Sequence, residues 1–173
     1  MKNLLYLFLI TSLFSCSEFL FENPQPEDSK RIKQVPKELW GFYKNNNDTL
    51  IVSEYNFQLR SSLGIMKEVD FDLRNEEFVL KFNDDKYYLN VKKNEDNYQG
   101  WMLARFKKDG KNLDFRTLEN FENSDSDSTF NLSIKKIIYD DNGKRLATIL
   151  NSESFKQYDL LLDSAKAQIF KKR

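Results

Sequence analysis

The sequence predicts an all-β fold: an antiparallel meander curled into a barrel-like sheet of about eight strands, with one C-terminal helix. Three observations predict it. Apolar and polar residues alternate at period two through much of residues 37–173. Short clusters of Asn, Asp, Gly and Lys separate the alternating runs, as hairpin turns require. Only one late passage changes to a helical period.

Taken in order, Leu50 and Val52 begin a strand that Tyr55, Phe57 and Leu59 continue on the other parity, which predicts a bulge or bend near Glu54. Val69, Phe71 and Leu73 alternate with Asp70 and Asp72, the mark of a half-buried strand. Phe78-Val79-Leu80-Lys81-Phe82 and Tyr87-Tyr88-Leu89-Asn90-Val91 flank Asn83-Asp84-Asp85, a hairpin. Trp101–Phe106 is nearly continuous, so both its faces are expected to be covered. Lys108-Asp109-Gly110-Lys111 turns it into Leu113-Asp114-Phe115. Phe130, Leu132, Ile134 and Ile137-Ile138-Tyr139 precede a turn at Asp141-Asn142-Gly143-Lys144, after which Leu146–Leu150 returns. Ser154 and Gln157 match a capping box, and Phe155, Tyr158, Leu161 and Leu162 share one helical face. Ala165–Phe170 forms a closing strand. A flat sheet of this size leaves two open edges, so curling or closure is the physical expectation.

Residues 1–36 follow other rules. Met1-Lys2-Asn3 and a run of about a dozen mostly apolar residues describe a secretory signal. A membrane-crossing helix needs roughly 20 such residues, and Ser17-Glu18 ends this run early. Leu13-Phe14-Ser15-Cys16 is similar to the lipobox of bacterial lipoproteins, with Leu three places before the obligatory Cys. That resemblance implies removal of residues 1–15, a diacylglycerol on the Cys16 thiol and an acyl chain on its new amine. No other cofactor is implied. Two or three chains anchor a protein stably where one does not. Ser17 lacks the Asp that retains enterobacterial lipoproteins in the inner membrane, and Glu18 resembles the acidic export signal of some Bacteroidota lipoproteins. The expected location is therefore the cell envelope, at the outer membrane. Residues 16–36, rich in Pro and charge, read as a lipidated tether, and residues 37–173 as a single β-rich domain. Phe19-Leu20-Phe21 departs from the tether pattern, either meeting headgroups or packing on the domain.

Composition excludes more than it identifies. The 27 Lys+Arg equal the 27 Asp+Glu, which gives no basic field for nucleic acid. No His is present, removing the commonest general base and metal ligand. One Cys rules out an internal disulfide and a multi-Cys metal site. Asn123-Ser124-Asp125-Ser126-Asp127-Ser128 starts like a calcium loop but lacks the Gly and Glu that such loops need, so an acidic loop without metal is expected. Asp84-Asp85 and Asp140-Asp141 sit at turns, where Asp is favoured for local hydrogen bonds. Lys92-Lys93 and Lys107-Lys108 with Lys111 are modest basic spots countered by Glu95-Asp96 and Asp109, which read as solvated strand ends, the alternative being contact with a polyanion or a headgroup.

Leu39-Trp40-Gly41-Phe42-Tyr43, followed by Asp48-Thr49-Leu50-Ile51-Val52, resembles the opening of lipocalin-like lipoproteins. The resemblance implies a small up-and-down barrel and a bound apolar ligand. The 15 Phe, eight Tyr and two Trp either fill the barrel or line a cavity in it. Trp40, Tyr43, Tyr88 and Trp101 are the candidate ligand contacts. The sequence thus points to a non-enzymatic, lipid-anchored binding or accessory module, whose partner is an envelope protein. The alternative is a carrier of an apolar small molecule.

Overall fold

The computed structural model describes residues 18–61, 68–117, 133–165 and 167–173. Cys16 and the acidic loop at 123–128 lie outside them. The strands are β1 (Glu18–Phe21), β2 (Arg31–Ile32), β3 (Gly41–Lys44), β4 (Asp48–Val52), β5 (Asn56–Ser61), β6 (Val69–Asp72), β7 (Phe78–Asn83), β8 (Lys86–Glu95), β9 (Tyr98–Asp109), β10 (Asn112–Arg116), β11 (Ile134–Tyr139), β12 (Arg145–Leu150) and β13 (Gln168–Lys172). Among the described residues one α-helix, α1 (Phe155–Ser164), follows β12. The fold class is as the period-two pattern predicts: a curled, mainly antiparallel sheet in the shape of a half-barrel.

The expected eight or so strands become 13 in one sheet among the described residues. Its path runs β11-β12-β1-β9-β10-β13-β3-β4-β5-β6, while the other edge of β9 carries β8, β7 and then β2. Part of the surplus comes from the parity change near Glu54, which is a hairpin and not a bulge. Leu50 faces Leu59 and Val52 faces Phe57 across the β4–β5 pair, and Ser53 N–H closes the turn onto the Asn56 carbonyl. Another part comes from the expected tether. β1 pairs in parallel with β12 and meets Trp101 of β9, and β2 pairs with β7. Leu20 and Phe21 are completely buried. Residues 18–36 are therefore built into the folded unit, and the Pro-rich stretch is strapped across β7 and β8. The buried Asn90 carboxamide accepts the Gln25 N–H at 2.6 Å and donates to the Gln25 carbonyl at 2.8 Å. The Lys81 ammonium donates to the carbonyls of Pro24, Pro26 and Glu27. Buried polar groups have to be satisfied in this way, and the desolvation of Lys81 holds its pKa below the usual lysine range.

Turn chemistry follows the sequence closely. Asp84 and Asp85 take positive φ values of 49° and 59°, the geometry of a tight β7–β8 hairpin. Asp140 Oδ1 accepts the N–H groups of Asn142 and Lys144 in the β11–β12 turn. The capping box at Ser154 does not form. The Ser154 hydroxyl accepts the Ser133 N–H at 2.7 Å and donates to the Ser133 carbonyl, so a contact between segments displaces the local cap.

Two layers of core result. Inside the curl, Tyr43, Leu50, Val52, Phe57, Leu80, Leu89, Phe106, Leu113 and Phe170 form one buried cluster. On the outer face, α1 lays Tyr158, Leu161 and Leu162 against Phe21, Tyr88, Leu103 and Leu150. Tyr87–Val91 is accordingly buried on both faces. Gly100 admits β1 to this arrangement. A Cβ there would stand 2.9 Å from Leu20 Cβ and 3.1 Å from the Phe21 carbonyl oxygen. Gly100→Val is therefore expected to cost about 1–3 kcal/mol, the usual range for overpacking, and to expose residues 18–36 to protease. An unchanged urea midpoint would show that β1 is not seated on β9.

Candidate functional site

A groove of about 340 Å³ opens where β1 and β11–β12 meet β8 and β9; its lining includes Lys92, Trp101, Lys135, Lys136 and Glu22. Lys92 and Trp101 are direct partners in the β8–β9 pair, so period-two geometry presents both side chains on one face. Lys136 comes from β11, where it pairs with Ile149 of β12, itself part of the lining. Glu22 follows β1, whose entry depends on Gly100 at the groove floor. The Lys135 ammonium donates to both Glu22 carboxylate oxygens, at 2.7 and 2.6 Å. The side chains of Lys92 and Lys136 are exposed and have no such acceptor among the described residues. Lys92 thus stands beside the Trp101 indole on one face of the sheet, while Lys136, paired with Ile149 opposite Leu20, belongs to the other.

A second, more open depression of about 800 Å³ contains Arg31, Lys33, Arg74 and Glu76. Its arginines are already engaged. Arg31 donates to the carbonyls of Leu73, Asn75 and Phe78. Arg74 is held by Asp72 at 2.6 Å and lies over the Tyr55 ring. The Arg74 hydrogen bonds pull the Asp72 carboxyl down to about 2.

The four aromatic residues singled out in the sequence fall in different places. Tyr43 is buried in the inner core, donating its hydroxyl to the Leu39 carbonyl at 2.8 Å, and burial pushes its pKa up. The Trp40 indole N–H donates to the Val35 carbonyl at 2.8 Å, with the Lys37 ammonium over its ring. Tyr88 lies under α1, edge-on to Phe155. Trp101 alone of the four lines the groove.

Beneath α1 sits a set of charges that sequence reading did not single out. Arg105 of β9, with a side chain only 4% exposed, pairs with Asp159 at 2.7 Å and Asp163 at 2.6 Å. Lys86 reaches Asp159 at 2.7 Å. Burial raises the Asp159 pKa, but the hydrogen bonds from Lys86 and Arg105 outweigh it and hold the carboxyl below the usual range. Burial, then the charge and hydrogen bond of Asp159, push the Tyr88 phenol far up. Such a constellation resembles catalytic machinery in residue type. Its geometry is that of a clamp, since every group joins the helix to the strands beneath it. Two signals in the sequence marked it: a lone Arg inside the apolar run Trp101–Phe106, and Asp159 and Asp163 spaced four apart on one helix face.

No family model, curated protein or solved structure matches the chain. Among the described residues, no three His, Cys, Asp or Glu side chains gather where a metal ion could sit. No described helix is long and apolar enough to cross a membrane.

Proposed function

We infer that the chain is a lipoprotein of the bacterial cell envelope, resembling those of Bacteroidota, whose lipocalin-like β domain serves as a binding or structural accessory module and not as an enzyme. One observation carries the reading: the only cysteine of the sequence occupies the acyl-accepting place of a lipobox, directly after an apolar signal run. The absence of Asp after Cys16 supports the outer membrane as destination. The dense inner core supports a role at the outer surface of the sheet over carriage of an apolar molecule inside it. Phe57 and Phe106 stack there at 5.0 Å between centroids, and Phe115 packs on Phe106 at 4.9 Å.

Labelling with radioactive palmitate tests the anchor. The wild-type chain is expected to incorporate label and to sediment with membranes, while Cys16→Ser does neither. Equal labelling of the two removes the lipoprotein assignment.

A further inference from the structure

Lys171 of β13 pairs with Lys44 of β3, and residues directly opposite in an antiparallel pair stand side by side on one face. The alternate positions, Tyr43 and Phe170, are buried in the inner cluster, so Phe42, Lys44, Ile169 and Lys171 point out of the curl. Arg173 continues the pairing, its N–H donating to the Phe42 carbonyl at 2.9 Å. Like charges placed opposite each other weaken a sheet, yet none of these three cations has a carboxylate partner among the described residues. Acids on the neighbouring strands are engaged or set apart. Asp114, opposite Ile169, is held by Arg116 at 2.8 Å, and Asn112 stands between Asp109 and Lys171. Apolar side chains frame the lysine pair. Phe42 is 41% exposed and Ile169 42%, Ile51 lies opposite Phe42, and the Lys44 ammonium sits over the Phe42 ring at 5.8 Å. The helix α1 packs on Tyr88 and Leu103 and the Pro-rich strap on Lys81 and Asn90, which leaves the β13–β3 face open.

We propose that this face docks an extended acidic segment of a partner protein, whose carboxylates meet Lys44, Lys171 and Arg173 while an apolar side chain rests on Phe42 and Ile51. The lysines repel each other in the free domain, and carboxylates laid along them relieve that repulsion, so the face is complementary to an anion. The apolar residues select the kind of anion. Phe42 with Ile51 on one side of the lysine pair and Ile169 on the other offer contact that a hydrated glycan or a free phosphate leaves unused, whereas a polypeptide carrying both acidic and apolar side chains fills it. The docking rests on the reading of the domain as a binding module and not on its lipid anchor.

The full chain is placed in phosphatidylcholine nanodiscs, with empty discs as the blank. Fluorescence anisotropy follows a labelled peptide in which Glu alternates with Ser on either side of a central Phe. Wild type is expected to bind it about tenfold more tightly than the same peptide with Gln for Glu, and more weakly as salt rises. Lys44→Gln/Lys171→Gln is expected to lose about tenfold in affinity, the scale of two exposed ion pairs. Because the two lysines repel each other, that variant should unfold at the wild-type midpoint or above it; a lower midpoint makes the pair structural and overturns the proposal. Absence of binding overturns it, as does equal affinity for the Glu and Gln peptides or for wild type and the double variant. Equal binding of a peptide with Ser in place of the Phe, or tighter binding of heparin, makes the face a site for any polyanion and overturns the protein assignment. The intact mass of the same preparation keeps the two readings apart. An unacylated chain removes the anchor and leaves the face to be decided by the peptide, while an acylated chain that ignores the peptide overturns the face and keeps the anchor.

Discussion

Asp159→Ala is expected to destabilise the domain by about 3–5 kcal/mol, the range found when one partner of a buried ion pair is removed. Asp159 receives Lys86 and Arg105, each at 2.7 Å, and the Tyr88 hydroxyl. Its loss leaves the Arg105 guanidinium in a place that water barely reaches, with Asp163 as its one remaining carboxylate. Asp163 is itself half exposed, so Asp163→Ala is expected to cost no more than about 1 kcal/mol. The pH dependence has a definite sign. The folded-state pKa of Asp159 is lowered, so its contribution is complete above the unfolded carboxylate value near about 4 and is lost as pH falls through the folded value. Wild type should therefore lose stability on acidification more steeply than Asp159→Ala. Urea unfolding at a series of pH values measures both effects, and parallel pH profiles would sink the clamp assignment.

Phe106→Ala is expected to cost a further large amount, about 3–5 kcal/mol for an aromatic truncated in a well-packed interior. Phe106 is 2% exposed and lies between Phe57 and Phe115, with Phe115 in turn edge-on to Phe170 at 6.3 Å. No neighbour can collapse into its place without breaking that series of rings. The variant also reports on the interior. Apolar cavities of aromatic size stay dry and take up benzene, so saturating benzene should raise the unfolding midpoint of Phe106→Ala and leave wild type unchanged. An equal rise in wild type would mean that the half-barrel already holds a vacant apolar space, and the carrier reading would return.

Local signals read well from the sequence. The strand at Val69–Asp72, the Asp84-Asp85 turn and the closing strand near Phe170 each follow from neighbouring residues and appear in the structure, although Val69 is exposed and the burial of its strand does not alternate. Failures came where distant residues decide. Glu18-Phe19-Leu20-Phe21 is too short to show a period, and its partner β12 is far along the chain. The change of parity at Glu54 is the same on paper for a bulge and for a tight hairpin; only the pairing of β4 with β5 separates them. The capping box at Ser154 lost to Ser133. The groove shows both cases at once. Trp101 and Lys92 drew attention singly, but their juxtaposition depends on strand register, and Lys136 arrives from a segment that nothing local connects to them.

The pairing of β1 with β12 also sets an order of events. Glu18 stands opposite Ala147, so β1 waits for a strand made about 130 residues later, and such distant closures are slow to form. Until β12 exists, Leu20 and Phe21 have no permanent seat and stay open to chaperones or proteases. A product that stops before Leu150 therefore fails at both ends: it lacks its own C-terminal elements and leaves its N-terminal strand loose.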